Sequence, residues 1–246
     1  MKIIEIMNKK VIIIGATSGI GKALAEQYAS ADYIVGITGR RIELLDQLAL
    51  SMPQKKFHIK EMDVADISSS RKGLAQLVQE MGGMDIIIIN AGVGFPKPNF
   101  EKELQTIDIN VRGFMSIAQW SYAFFSENGG GKIVGISSVA AVRSSPYAPE
   151  YHASKAFVAS YLEGLRMRSI KRNNKIEVIE IRPGFVDTAM TKSNKGMFWI
   201  ATPQKAAKQI IEAINRNIPV AYVTKRYWFL AQFLKVVPDW LIAKLM

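Results

Sequence analysis

A run of four apolar residues, Val11-Ile12-Ile13-Ile14, leads directly into Gly15-Ala16-Thr17-Ser18-Gly19-Ile20-Gly21, and this junction constrains the chain more than any other stretch. A continuous apolar run of this length reads as a buried strand, and the helical pattern over residues 22–29 completes the order strand, glycine turn, helix. Glycines let the backbone turn tightly and approach a ligand, while the unpaired N–H groups and the dipole of a helix N-terminus attract negative charge. The junction is therefore a candidate cradle for a dinucleotide pyrophosphate, spaced G-x-x-x-G-x-G rather than the more familiar G-x-G-x-x-G.

A second stretch carries candidate chemistry. In Tyr151-His152-Ala153-Ser154-Lys155 the tyrosine and lysine stand four apart, so on a helix they project from one face. A tyrosine hydroxyl ionises near pH ~10, and a nearby lysine cation favours the phenolate and lowers that value, which makes the pair a candidate general acid/base. Such a pair also arises by chance on amphipathic helix surfaces, so its company matters. Asn90-Ala91-Gly92 ends an apolar strand at residues 86–89, and Asn110 lies inside a long helical stretch at 100–126. Ser138 closes a strand at 133–136, and Pro183-Gly184 follows a strand at 176–181. With these elements in this order and spacing, the chain resembles the classical short-chain dehydrogenase/reductase family over nearly its whole length.

That resemblance implies an α/β fold of Rossmann type, a doubly wound parallel sheet with helices on both faces, in a single domain over residues 1–246. Residues 9–135 would be mainly the dinucleotide-binding half, 136–224 the catalytic and substrate half, and 225–246 an apolar and basic tail. The alternation of apolar runs with helical stretches independently requires crossovers, hence parallel strands. The implied reaction is hydride transfer between a nicotinamide and a carbonyl or alcohol carbon. Tyr151 would be the acid/base, Lys155 would lower its pKa and bind the nicotinamide ribose, Ser138 would position the reacting oxygen, and Asn110 would hold a water of a proton relay. Ser138 is chosen over Ser137 on family spacing alone. Cofactor contacts are implied for Gly15, Thr17, Ser18, Gly19, Ile20 and Gly21, for Asp63 and Val64 at the adenine, and for Asn90, Ala91 and Gly92. Tyr151, Lys155, Pro183, Gly184, Val186 and Thr188 complete that set. The long helix and the helix carrying Tyr151 resemble the pair through which family members form homodimers or homotetramers.

The strand at 33–38 ends in Gly39-Arg40-Arg41, where an acidic residue would bind ribose hydroxyls and select NAD. A guanidinium instead pairs with the 2′-phosphate of NADP, so Arg40, with Arg41 beside it, favours NADP(H) over NAD(H) and, in cells, reduction. Residues 185–199 match the family's mobile substrate loop in position. Phe185, Met190, Phe198 and Trp199 within it, together with Phe95, point to a bulky or apolar ketone or ketoacyl group. Two positions depart from the family pattern: Ile14 replaces a threonine before the first glycine, and Ile89 replaces the first asparagine of N-N-A-G. Loss of those polar contacts predicts a less rigid junction. Two other readings stay open, an epimerase or dehydratase of the extended branch and a non-catalytic NADP-binding or membrane-recruited regulatory protein.

The chain has no cysteine, and His58 and His152 are dispersed without a carboxylate cluster, so neither thiol chemistry nor a metal site is expected. The net charge of +11 is lopsided. Residues 1–165 hold 17 Lys/Arg against 16 Asp/Glu, and residues 166–246 hold 15 against 5. The excess therefore lies outside the dinucleotide half, which suits an anionic membrane surface or an acidic acyl carrier, or simply a solvated face, better than nucleic acid. Residues 1–10 lack the apolar stretch of an export signal, so a cytoplasmic enzyme is expected. In the tail, Lys225, Gln232, Lys235 and Asp239 fall on one side of a helix whose remainder is apolar. Lys235, Pro238 and Asp239 argue against a membrane span. Lying flat in a membrane interface, closing the pocket and packing on a neighbouring subunit all remain open.

Overall fold

The structure is a computed structural model that describes residues 9–191 and 196–245. Residues 1–8 of the segment read as lacking an export signal, residues 192–195 of the expected substrate loop, and Met246 of the tail lie outside the described residues. The strands are β1 (Lys10–Ile14), β2 (Ile34–Gly39), β3 (Phe57–Glu61), β4 (Ile86–Ile89), β5 (Gly131–Ile136), β6 (Ile176–Pro183) and β7 (Val220–Val223). They pair in parallel in the order β3-β2-β1-β4-β5-β6-β7. The chain leaves β1 towards one edge of the sheet and returns at β4 to build the other. That reversal opens a crevice beyond the carboxyl ends of β1 and β4, where open α/β sheets place their ligands.

The central strands are apolar on both faces because helices cover both. Between α1 (Gly19–Ser30), α2 (Ile42–Leu50) and α7 (Pro203–Asn215) on one side, Ile13, Ile88 and Ile181 share a core with Leu24, Leu45 and Ile210. On the other side α3 (Ile67–Met81), α5 (Phe114–Glu127) and α6 (Pro149–Arg172) enclose Ile12, Ile87, Leu74, Ile117 and Leu162. Full burial of each such side chain is worth about 1.5–3 kcal/mol. Helix ends follow the sequence signals. Asp66 caps α3, which stops at Gly82 with φ 68°, and Thr202 caps α7 with Pro203 in its first turn.

Several elements differ from expectation. The stretch at 100–126 is not one helix but α4 (Phe100–Ile107), a π-helical turn (Asp108–Gly113) and α5. At the end of that turn a Cβ on Gly113 would lie 2.7 Å from the Val64 carbonyl oxygen, so only glycine passes the neighbouring loop this closely. The helix carrying Tyr151 begins at Pro149, so Tyr151 stands in its first turn. The edge strand β7 is four residues long and carries no sequence signal beyond its apolar composition. The tail splits at Val237-Pro238 into α8 (Tyr227–Val236) and α9 (Asp239–Leu245). The two family departures do not loosen the junction. Ile14 and Ile89 are paired in register and buried in the core, Asn90 and Ala91 both donate backbone N–H to the Ile14 carbonyl, and Asn90 Nδ2 donates to the Gly15 carbonyl at 2.7 Å.

Candidate active site

Each strand from β1 to β6 delivers residues to one cleft at its carboxyl end. After β1, Gly15 (φ 89°) and Gly19 (φ 56°) adopt backbone conformations that L side chains rarely reach. A Cβ at Gly15 would meet the Ala91 backbone at 2.8 Å, and one at Gly21 the Gly15 carbonyl oxygen at 2.0 Å. Gly21 is thus a packing residue that lets α1 sit against the turn, while Gly15, Thr17, Ser18, Gly19 and Ile20 line the cleft. No side chain caps the first turn of α1 behind Ser18, which leaves its N–H groups for an anion. This side-chain-free cradle fits a pyrophosphate.

Beyond β2 the cleft is bounded by Gly39, Arg40 and Arg41, and beyond β3 by Met62, Asp63 and Val64. A Cβ at Gly39 would fall 2.5 Å from Thr17 Cγ2, so the position where an acidic residue would select NAD is already occupied by a neighbour. Arg41 Nη2 donates to Thr17 Oγ1 at 2.6 Å and Ser18 Oγ at 3.3 Å, fixing the turn. Arg40 is exposed and makes no side-chain hydrogen bond or ion pair among the described residues.

Ser138, Tyr151 and Lys155 line the same cleft, together with Asn90, Ala91 and Gly92. Lys155 is buried and donates from Nζ to the Ile136 carbonyl at 3.1 Å, 5.7 Å from the Tyr151 ring centre. Burial pushes the lysine pKa down to about 8. The tyrosine departs from expectation: burial raises its pKa, hydrogen bonding to Ser138 pulls it back only in part, and the lysine does not reverse the outcome. Ser137 is turned away to Glu180 at 2.6 Å, which leaves Ser138 as the serine beside the phenol. Asn110 does not line the cleft. Its Oδ1 accepts from the Val93 N–H and its Nδ2 donates to the Val93 carbonyl, both at 2.8 Å, with Nδ2 also donating to Ser154 Oγ at 3.1 Å. The residue clamps the segment after β4 to α6.

Pro183, Gly184, Val186, Thr188 and Met190 line the remaining side of the cleft. Phe185, Phe198 and Trp199 do not line it. They gather around Tyr227 of α8 with ring centres 5.6–6.4 Å from its own. The Tyr227 hydroxyl donates to the Phe198 carbonyl at 2.6 Å and accepts from the Phe185 N–H at 3.1 Å. Phe95 lies outside the cleft wall under the Lys102 ammonium, 4.7 Å away.

A sequence model described as short chain dehydrogenase matches residues 9–197. The chain belongs to that family. This short-chain dehydrogenase is 29% identical to an uncharacterized oxidoreductase of Mycobacterium tuberculosis over 221 residues, 86% of this chain and 87% of the relative. A short chain dehydrogenase of Burkholderia cenocepacia in complex with NADP superposes with a TM-score of 0.82 at 21% identity, covering 98% of each chain. One of Burkholderia phymatum in complex with NAD gives 0.83 at 19% identity, covering 91% of this chain and 92% of that one.

Two features of this short-chain dehydrogenase lie outside the motifs. A Cβ at Gly94 would lie 3.0 Å from the Tyr151 ring, so this glycine admits the phenol; its only sequence signal is the second glycine of Gly92-Val93-Gly94. Glu180, buried on β6, accepts from Ser137 Oγ and is gripped by Arg182 through Nε at 2.7 Å and Nη2 at 2.9 Å, with Arg182 Nη1 donating to Tyr222 at 3.0 Å. The signal for it is a pair of alternating charges in an otherwise apolar strand, since buried charges require partners.

Proposed function

We propose that this short-chain dehydrogenase reduces a carbonyl group to an alcohol with NADPH, Tyr151 supplying the proton. The observation that carries the reading is that Tyr151, Ser138 and Lys155 line the same cleft as the glycine cradle. Bound NADPH would supply the hydride to the carbonyl carbon. The Ser138 hydroxyl, beside the phenol, is placed to hydrogen-bond the carbonyl oxygen as negative charge develops there. A phenol whose pKa is raised stays protonated at neutral pH, which suits a donor to the incipient alkoxide better than an acceptor from an alcohol. The nearby Lys155 cation stabilises the phenolate left behind and is placed to hold the nicotinamide ribose.

The free guanidinium of Arg40 and the lack of room for a side chain at Gly39 support NADP(H) over NAD(H). Met190 on the cleft wall supports a substrate with an apolar body, a ketone or ketoacyl group. By resemblance to the family Asn110 would help hold a water of the proton relay, while its side-chain amide holds the Val93 segment. Exposed Met115 on α5 and Met167 and Ile170 on α6 support association of copies through these helices.

Following NADPH absorbance over a panel of aliphatic, aromatic and acyl-thioester carbonyls tests the reading. Turnover is expected with at least one apolar member. NADPH binding without turnover of any carbonyl would favour a non-catalytic binding protein instead.

A further inference from the structure

Helix α8 is amphipathic in the wrong sense for a helix that ends at solvent. Its inward side, Tyr227 and Ala231 with the partly buried Leu230 and Leu234, packs on the domain. Its outward side is also apolar: Phe229, Phe233 and Val236 follow one another at helical spacing and are 70%, 53% and 78% exposed. Trp228 flanks this stripe at 48% exposure, and Trp240 on α9 continues it beyond Pro238 at 69%. The loop packed against the inward-facing Tyr227 also leaves Phe198, Trp199 and Ile200 partly exposed. Large apolar side chains exposed contiguously mark a surface that meets something other than water.

The charges around the patch decide what it meets. Lys225, Arg226, Lys235 and Lys244 are exposed and make no ion pair among the described residues. The tail's one acid, Asp239, is taken up by Arg143, which also donates to the Val237 carbonyl at 3.1 Å and so ties the α8–α9 corner to the domain. A second copy of the chain would set this cationic rim against itself, whereas an anionic bilayer offers an apolar interior behind a surface of opposite charge. We infer that α8 and α9 dock flat on an anionic lipid surface, with the aromatic stripe in the acyl boundary and the lysines and arginine at the headgroups. Among the described residues no helix is long and apolar enough to cross a membrane, so the contact is peripheral.

Vesicle flotation tests this with the full chain on phosphatidylcholine vesicles and on vesicles that also contain phosphatidylglycerol. The protein is expected to float with the anionic vesicles, to be released by salt, and to show a blue shift of tryptophan emission as Trp228 and Trp240 leave water. Phe229→Ser combined with Phe233→Ser, and separately Lys225→Glu with Arg226→Glu and Lys235→Glu, should each weaken vesicle partitioning by at least about tenfold. All these residues are exposed, so the variants should keep the wild-type melting temperature and NADPH turnover. The inference is overturned if wild type stays with the unbound fraction on both vesicle types, or if the aromatic variant floats as well as wild type. It is equally overturned if the aromatic variant converts an oligomer to a monomer while wild type binds no vesicles, which would assign the patch to a second copy.

Discussion

Lys155 is a buried cation whose Nζ rests on the Ile136 carbonyl, and its charge weighs against the folded state. Its pKa falls from 10.5 unfolded to about 8 folded through burial, so between those values the unfolded chain holds a proton that the folded chain has released. Stability from this group therefore rises as pH rises through that window. Tyr151 has the opposite sign: its folded pKa is raised, so the unfolded chain loses its proton first and stability falls above pH ~10. Denaturant unfolding without cofactor should show wild type gaining on Lys155→Met from about pH 8 to 10; a constant difference would contradict the burial argument. Glu180 carries another residue-level prediction. Removing one partner of a buried charged pair leaves the other uncompensated, so Glu180→Ala should cost about 3 kcal/mol of unfolding free energy, and a loss below about 1 kcal/mol would mean that Arg182 is well solvated without it. Arg40→Ala should weaken NADPH binding roughly tenfold or more and leave NADH unchanged, because a charge-assisted phosphate contact is lost and nothing else. Equal losses for both, by calorimetric titration, would place the 2′-phosphate elsewhere.

At the scale of elements, Tyr227 joins α8 to the loops that bound the cleft. A Cβ at Gly184 would lie 2.0 Å from its ring, and its hydroxyl holds both Phe185 and Phe198. Tyr227→Phe keeps the packing and removes two hydrogen bonds, so it should destabilise by about 1–2 kcal/mol and expose the chain next to Phe185 and Phe198 to limited proteolysis. An unchanged cleavage pattern would show that ring packing alone holds the loop. The elements legible in the sequence are those whose signals are local. An uninterrupted apolar strand such as Ile86-Ile87-Ile88-Ile89, a glycine turn, and a cap such as Thr202-Pro203 each fix their own geometry. The π-helical turn was not legible because it answers a tertiary demand, the close passage of Gly113 under Val64. The burial-raised pKa of Tyr151 and the withdrawal of Phe198 and Trp199 to Tyr227 likewise depend on what packs against them. The proposed acid/base pair could be picked out because Tyr151 and Lys155 share a helix face, whereas the Ser137–Glu180–Arg182 support joins the ends of two strands that meet only in space.

For the whole molecule, six strand ends feed one cleft, so the proposed cofactor binding and proton transfer would share a single place, while the excess positive charge and exposed aromatics lie towards the C-terminal third. The central claim is that this cleft holds NADPH and that the Tyr151 phenol delivers the proton as hydride moves. Tyr151→Phe removes one oxygen and leaves the fold and the glycine cradle intact. The most direct measurement is a paired one on wild type and Tyr151→Phe, NADPH affinity by titration and the turnover number for whichever carbonyl wild type reduces. Affinity is expected to stay within a few-fold while turnover falls by about 10²–10⁴. Turnover within a few-fold of wild type would contradict the assignment of the proton to this residue.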